Sequence, residues 1–369
     1  MEWEFRQLSV GVDLHKTQFT VCALAPSGEV VLEQEFETTS EGYDAFALWA
    51  HGVERERDLE TVLAVEATGN ARYFKNFMEA EGFAVKVINT ARFKVIVKSA
   101  VKNDRRDART IAMFLMKDFI PESRLCSQHD EDLRRLLKLR SMLVRQSVAI
   151  KNNIHGMLLS YGIRTTAAQF QSKKGRLQLA RELEAHKVFN AEAAGILNLM
   201  LETLEKTRGM ILETEGKLEA YVEGDEEVEL LQTIPGVGKI MSAQIAAWTG
   251  DIRNFESYKH YAAYCGLVPY LKESNETTSL GHITKRGPAE LRTAFVQVVM
   301  GLLRLKSRNP AWRIYSRYGL LKKEKGSGRA IVACSRKMSR IIYCMLRDKK
   351  PFDSSLMDEK PARTKSACA

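Results

Sequence analysis

Two apolar runs near the start of the chain each end on a carboxylate, and this pairing limits the fold more than any other feature. Ser9-Val10-Gly11-Val12-Asp13 reads as a strand closing on Asp13, and Thr61-Val62-Leu63-Ala64-Val65-Glu66 as a strand closing on Glu66. Between them, residues 18–25 and 29–38 form two more expected strands, joined through the turn Pro26-Ser27-Gly28. Ser40 is expected to cap a helix running to Trp49. A helix over 71–81 and a strand over 84–88 follow Glu66. Three strands joined by short turns, then two separated by helices, is the order of an RNase H-like mixed sheet, though other mixed α/β folds share it.

Beyond Asp104 the periodicity turns helical. Leu133, Leu136, Leu137, Leu143, Val144, Ile150, Ile154, Met157 and Leu158 recur at helical spacing, as do Leu197, Leu201, Leu204, Ile211, Leu218 and Val222 after a polar stretch. The stripes predict two long helices packed on each other or on a second copy, a coiled-coil-like connector or equally a plain bundle core; Arg140 and Ser147 interrupt them. The expected organisation is an α/β unit over 1–125, a long-helix connector over 126–225, a mainly α unit over 226–352 and a disordered tail over 353–369. In the third unit the stretch from Pro269 to Arg286 reads as a long polar loop.

Lysine and arginine total 56 against 46 acidic residues, a formal charge of +10 that suits a polyanionic partner without requiring one. The six cysteines are scattered, with no CxxC pair, which argues against a zinc site or a disulfide framework and for a reducing compartment. Met1 to Arg6 has no apolar run of the signal-peptide kind, and residues 296–305 are too short for a membrane span. A soluble, cytoplasmic protein is expected.

Asp13 and Glu66 at strand ends, with Asp104 and Asp107 three residues apart on one face of a helix start, form a set that can converge on one point. Converging carboxylates need a cation to remain ionised together, and hard oxygen ligands suit magnesium or manganese. Two such ions stabilise the attacking and leaving oxygens of a phosphodiester. Taken singly, each residue is more readily a turn residue or a helix-dipole partner; all four in this order tip the balance to a shared site. Lys16, Lys102, Arg105, Arg106 and Arg109 surround the set with positive charge, as a phosphate backbone would require and as a solvated helix face would also show.

Downstream, Ile234-Pro235-Gly236-Val237-Gly238-Lys239 resembles a helix-hairpin-helix turn, in which glycines let backbone amides and a helix N-terminus meet a phosphate. An ordinary Pro-Gly helix junction looks the same. Arg292, Arg304, Lys306, Arg308, Arg313 and Arg317 alternate with Trp312, Tyr315 and Tyr318, aromatics that stack on bases or fill a core. Within the polar loop Ser274, Thr277, Thr278 and Ser279 are equivalent hydroxyl candidates, with Glu273, Glu276 and His282 as local bases.

Together, Gly11-Val12-Asp13-Leu14-His15-Lys16, Val65-Glu66-Ala67-Thr68-Gly69 and Lys102-Asn103-Asp104-Arg105-Arg106-Asp107-Ala108 resemble the acidic motifs of DEDD-type insertion-sequence transposases. These are relatives of Piv-type DNA invertases, some of them bridge-RNA-guided recombinases. Ile234-Pro235-Gly236-Val237-Gly238, Ala262-Ala263-Tyr264-Cys265-Gly266-Leu267-Val268-Pro269 and Thr284-Lys285-Arg286-Gly287 resemble that family's second domain. The resemblance implies a RuvC-like domain holding Mg2+ or Mn2+ on Asp13, Glu66, Asp104 and Asp107, and a serine that forms a transient phosphoserine link with DNA. By its place after Gly266-Leu267-Val268-Pro269, that serine is Ser274; the family often has glycine next, and here Asn275 follows. The resemblance further implies donor and target DNA as partners, a noncoding guide RNA, and a dimer or tetramer in which acidic and serine domains meet. Lys16, Arg105, Arg106, Gly236, Gly238, Lys239, Lys272, Lys285 and Arg286 are the expected nucleic-acid contacts. The rivals are a Holliday-junction-resolvase-like metal nuclease with water as nucleophile, and a non-catalytic nucleic-acid-binding protein.

Overall fold

The structure, a computed structural model, describes residues 6–96, 104–166, 169–170, 172–184, 190–274, 277–308 and 312–357. The chain divides into two compact units, 1–125 and 126–369.

The first unit is built on five strands: β1 (Gln7–Leu14), β2 (Gln18–Leu24), β3 (Val30–Glu37), β4 (Glu60–Glu66) and β5 (Ala84–Ile88), in the order β3-β2-β1-β4-β5. Strands β1 to β3 are antiparallel neighbours, whereas β4 runs parallel to β1 and β5 parallel to β4. The central strands are largely apolar because both faces are covered, with Ser9, Thr20 and Thr61 as buried polar exceptions. On one face Leu8, Val10, Val12 and Leu14 pack with Phe19, Val21, Leu63 and Val65 beneath α1 (Ser40–Arg57) and α2 (Ala71–Ala80). On the other, Ala108 and Ala112 of α4 (Asp104–Met116) pack on Cys22 and Leu24, and Ile111 and Leu115 pack on Ala64 and Ile88. A short helix, α3 (Thr90–Ile96), follows β5. The exposed strand β3 carries Glu33, Glu35 and Glu37, charges that discourage pairing along an open sheet edge.

Helix α1 departs from expectation at both ends. Its N-cap is Thr39, whose hydroxyl accepts from the Gly42 amide at 3.2 Å, not Ser40. It continues past Trp49 to Arg57 because Ala50 and Val53 extend the buried stripe of Tyr43, Phe46 and Ala47 across His51-Gly52. Asp58, in the left-handed region at φ 52°, ends it.

In the second unit α5 (Gln128–Ser160) and α7 (Ala191–Tyr221) pack antiparallel, with α6 (Lys173–Glu184) against their far end. The polar interruptions of the stripe are accommodated: Arg140 is paired with Glu215 across the two helices, with Nε at 2.7 Å from the carboxylate, and Ser147 is buried. The remaining helices, α8 (Glu226–Gln232), α9 (Lys239–Thr249), α10 (Tyr258–Tyr264), α11 (Ala289–Arg304), α12 (Arg313–Lys325) and α13 (Ser327–Asp348), enclose a core around Tyr261, Phe295, Met338 and Ile342. Ser354–Met357 adds one turn of 3-10 helix, with Met357 buried in that core.

In this mainly helical unit the expected polar loop from Pro269 to Arg286 is corrected by a hairpin. Strands β6 (Pro269–Ser274) and β7 (Thr277–Ile283) pair antiparallel where a polar loop was expected, with Ser274 opposite Thr277. Polar side chains hid the pairing, which rests on backbone hydrogen bonds between the strands.

Candidate active site

Parallel pairing of β1 and β4 sets Val12 beside Val65, so the next residues along, Asp13 and Glu66, end adjacent strands at one edge of the sheet. Side chains alternate along a strand. Asp13 therefore shares the face of Gly11, and Glu66 that of Ala64, which is the face covered by α4. The helix lies close there: a Cβ on Gly11 would sit 2.1 Å from the Ala108 carbonyl oxygen and 2.4 Å from the Ala112 nitrogen. Asp107 precedes Ala108, so its backbone lies one residue from the contact between α4 and Gly11. The backbone of Asp104 lies one turn earlier; its side chain, like those of Arg105, Lys272 and Ser274, lies outside the described residues.

The strand ends are braced by their loops. The His15 carbonyl accepts from Asn70 Nδ2 at 2.9 Å and from the Thr38 hydroxyl at 3.2 Å, tying the loops after β1, β3 and β4 into one unit. His15 Nε2 lies 3.2 Å from Asp13 Oδ2; an ionised carboxylate only accepts, so that nitrogen carries the proton. The Asp13 side chain is 16% exposed and Glu66 and Asp107 are half-buried, whereas Lys16, Arg106 and Arg109 are exposed around them. Burial and Glu33 push the Cys22 thiol up to about 11 against the pull of Arg109, so Cys22 is an inert core residue under α4.

The donor set is hard oxygen throughout, which is the kind a divalent cation of the magnesium class takes. A buried hydroxyl without a partner, Thr20 Oγ1, lies at the same corner. Among the described residues, however, no three metal-capable side chains are drawn close enough together to hold an ion. Topology has brought the ends of β1 and β4, with Asp13 and Glu66, to one edge of the sheet on the face that α4 covers.

In the second unit, Gly236 takes a positive φ of 81°, and buried Ile234 and Val237 anchor the turn between α8 and α9. Gly238 caps α9 without any side-chain hydrogen bond. The first amides of an eleven-residue helix thus follow an exposed glycine, with half-buried Lys239 alongside. At the root of the hairpin, Gly266 and Gly287 are both in the left-handed region, at φ 67° and 91°. A Cβ on Gly287 would lie 1.8 Å from the Tyr264 carbonyl oxygen, and one on Gly266 2.4 Å from that of Arg286. Arg292 joins the two segments, its guanidinium donating to the carbonyls of Cys265 and Lys285 at 3.4 Å each. Lys285, itself at φ 52°, and Arg286 are exposed beside this clamp. Asn70, Thr38 and Thr20 were not singled out from the sequence. Only Asn70 left a local sign, a helix-capping residue type just before α2.

A cavity of about 430 Å³ in the same unit is lined by Asp130, Asp225, Glu227 and Asp251 as well as Arg253, Arg347 and Lys349. Asp225 caps α8 through the amides of Glu227 and Val228, and Asp251 pairs with Arg253. Burial first, then Asp225, Asp130 and Asp251, push Glu227 up to about 7, with Lys349 opposing. A carboxylate raised in the fold leaves stability intact below its ordinary range and removes it as pH rises through 7. Glu227→Gln is therefore expected to raise the unfolding free energy by about 2 kcal/mol near pH 8 and to change it little near pH 4, as read by urea titration.

Two family models match the chain. One, described as a transposase and of the DEDD type named for IS110, covers residues 10–163. The other, described as the transposase IS116/IS110/IS902 family, covers residues 228–316. The chain belongs to this transposase family. The transposase for insertion sequence element IS1111A of Coxiella burnetii is 28% identical over 93% of this chain and 90% of its own. A probable family 20 transposase of Pseudomonas aeruginosa is 27% identical over 91% and 96%. The pilin gene-inverting protein of Moraxella bovis is 24% identical over 94% and 98%. The protein is thus a DNA transposase or recombinase, an enzyme whose substrate is DNA, and both acidic strand ends and the α4 start fall inside the first matched region. A DEDD-type domain points to use of a divalent metal. Among the described residues, no helix of this transposase is long and apolar enough to cross a membrane.

Proposed function

We propose that this transposase cuts and rejoins DNA with two separate sets of groups. Asp13, Glu66, Asp104 and Asp107 hold Mg2+ or Mn2+, and Ser274 is the nucleophile, forming a transient phosphoserine link. The observation that carries the acidic half is the placement of Asp13 and Glu66 on adjacent parallel strands, facing the helix that bears Asp104 and Asp107. A bound cation there supplies Lewis-acid stabilisation of the oxygens attached to phosphorus. His15 orients the Asp13 carboxylate, and Lys16, Arg105 and Arg106 receive the DNA backbone. The hairpin root, closed by Gly266, Gly287 and Arg292, gives Ser274 a rigid support at the end of β6. Attack by Oγ forms the Oγ–P bond and breaks the bond from phosphorus to the leaving deoxyribose oxygen, which ends as a hydroxyl carrying the proton that Ser274 loses. One phosphoester replaces another, so rejoining needs no external energy.

The turn at Gly236 and Gly238 with Lys239, together with Lys272, Lys285 and Arg286, adds the backbone contacts of the second unit. The long helices over 126–225 connect the catalytic parts and mediate a dimer or tetramer. A noncoding RNA pairing with donor and target DNA guides the reaction in the cytoplasm; the excess of basic residues supports a nucleic-acid load of that kind.

The deciding experiment is denaturing electrophoresis of the protein with labelled donor DNA. A covalent adduct is expected for the native protein and none for Ser274→Ala. Cutting that persists undiminished in Ser274→Ala, with no adduct in either, assigns the chemistry to water and a resolvase-like nuclease instead.

A further inference from the structure

Thr20 lies within β2, and antiparallel pairing sets it directly opposite Asp13. Directly opposed residues in neighbouring strands project to the same face with their Cβ atoms about 5 Å apart. The face is the one under α4, because Cys22 and Leu24, two and four residues further along β2, pack on Ala108 and Ala112. Thr20 is 0% exposed, and its hydroxyl has no hydrogen-bond partner.

Three other buried side-chain oxygens among the described residues share that condition: those of Tyr43, Thr61 and Thr284. Tyr43 packs in the core on the opposite face of the sheet, and Thr61 alternates with Val62 and Ala64, so it points to that opposite face as well. Thr284 belongs to the second unit. Of these orphan hydroxyls, Thr20 alone stands beside the acidic corner. A buried hydroxyl left unpaired lowers stability, and such groups call for an explanation in an ion, a water or a catalytic duty. Valine would fill the same space without that cost.

We infer that Thr20 is a positioning residue of the acidic site, its O–H held ready to donate to the Asp13 carboxylate when that carboxylate ligates a divalent cation. Ligating carboxylates are themselves oriented by hydrogen bonds from surrounding groups, and loss of such a partner weakens metal binding by about 10- to 100-fold. His15 Nε2 meets one oxygen of Asp13, and the Thr20 hydroxyl, buried opposite Asp13, has no hydrogen-bond partner. This inference rests on the proposed metal-binding role of Asp13.

The test is Mn2+ titration of the full-length protein, followed by the electron paramagnetic resonance of free Mn2+, with thermal unfolding of the metal-free forms. Thr20→Val is expected to bind Mn2+ about tenfold more weakly, while its metal-free melting temperature stays equal or rises by about 2–4 °C. Thr20→Ser, which keeps the hydroxyl, is expected to bind within about threefold of the native protein. Native affinity in Thr20→Val overturns the inference, as does a weaker affinity accompanied by a lower melting temperature and not restored in Thr20→Ser. Asp13→Asn separates the metal site from the role of Thr20. If it binds Mn2+ as well as the native protein, the metal site itself is lost and the role of Thr20 with it; if it alone loses binding, only the role of Thr20 falls.

Discussion

Asp13→Asn is expected to leave a folded protein whose strand cleavage has fallen at least about a thousandfold. Asparagine has the shape of aspartate and keeps an oxygen for the His15 contact, so β1 and its pairing with β2 and β4 are undisturbed. What disappears is one negative charge, at the position where the parallel pair β1–β4 and the start of α4 come together. A cation shared among several carboxylates depends on every one of them, so the loss is not made up by Glu66 or Asp107. The measurement is excision from a donor plasmid, with circular dichroism and a melting curve to establish that the variant is folded. Excision within tenfold of the native level would remove Asp13 from the chemistry and leave it a strand-end residue.

Gly11→Ala is expected to be severely damaging to the first unit. Its added carbon would meet backbone at 2.1 Å and 2.4 Å, the carbonyl of Ala108 and the nitrogen of Ala112, and neither can rotate away as a side chain would. Helix α4 must lift off β1 or β1 must bend, at a cost of about 3 kcal/mol or more. Because α4 carries Asp104 and Asp107, activity falls together with stability. Gly52→Ala is the matched control: it lies within α1 with nothing near its missing carbon, and alanine there is expected to stabilise by about 0.5–1 kcal/mol. Urea unfolding of both variants checks the contrast. Equal behaviour of the two would mean that α4 does not lie on Gly11 as described.

The same glycine shows how much of the site was legible beforehand. Asp13 and Glu66 stood out because each closes an apolar run, a pattern written in consecutive residues. Asp104 and Asp107 stood out because their spacing is that of one helical turn. The reason for glycine at 11 was not legible, since the atoms that exclude a side chain there belong to residues nearly a hundred positions away. Thr20 was invisible for a similar reason: it is one polar residue in a strand, and only the register with β1 puts it opposite Asp13. The hairpin β6–β7 was missed because Lys272, Glu273, Ser274, Thr277, Thr278 and Ser279 carry no apolar alternation, and Asn275-Glu276 lacks the glycine that marks tight hairpin turns. Arg292 was read as one more basic residue, whereas its guanidinium is committed to two backbone carbonyls at the hairpin root.

Local order in this protein was thus determined by the sequence alone: the five strands of the first unit, the long helices of the second and the carboxylates that punctuate them follow from periodicity, capping and turn chemistry acting over a few residues. Tertiary structure decided the rest, namely which strands became neighbours, in what register, and where α4 came to lie. Those outcomes depend on contacts between residues far apart in the chain, whose energies no short stretch of sequence contains.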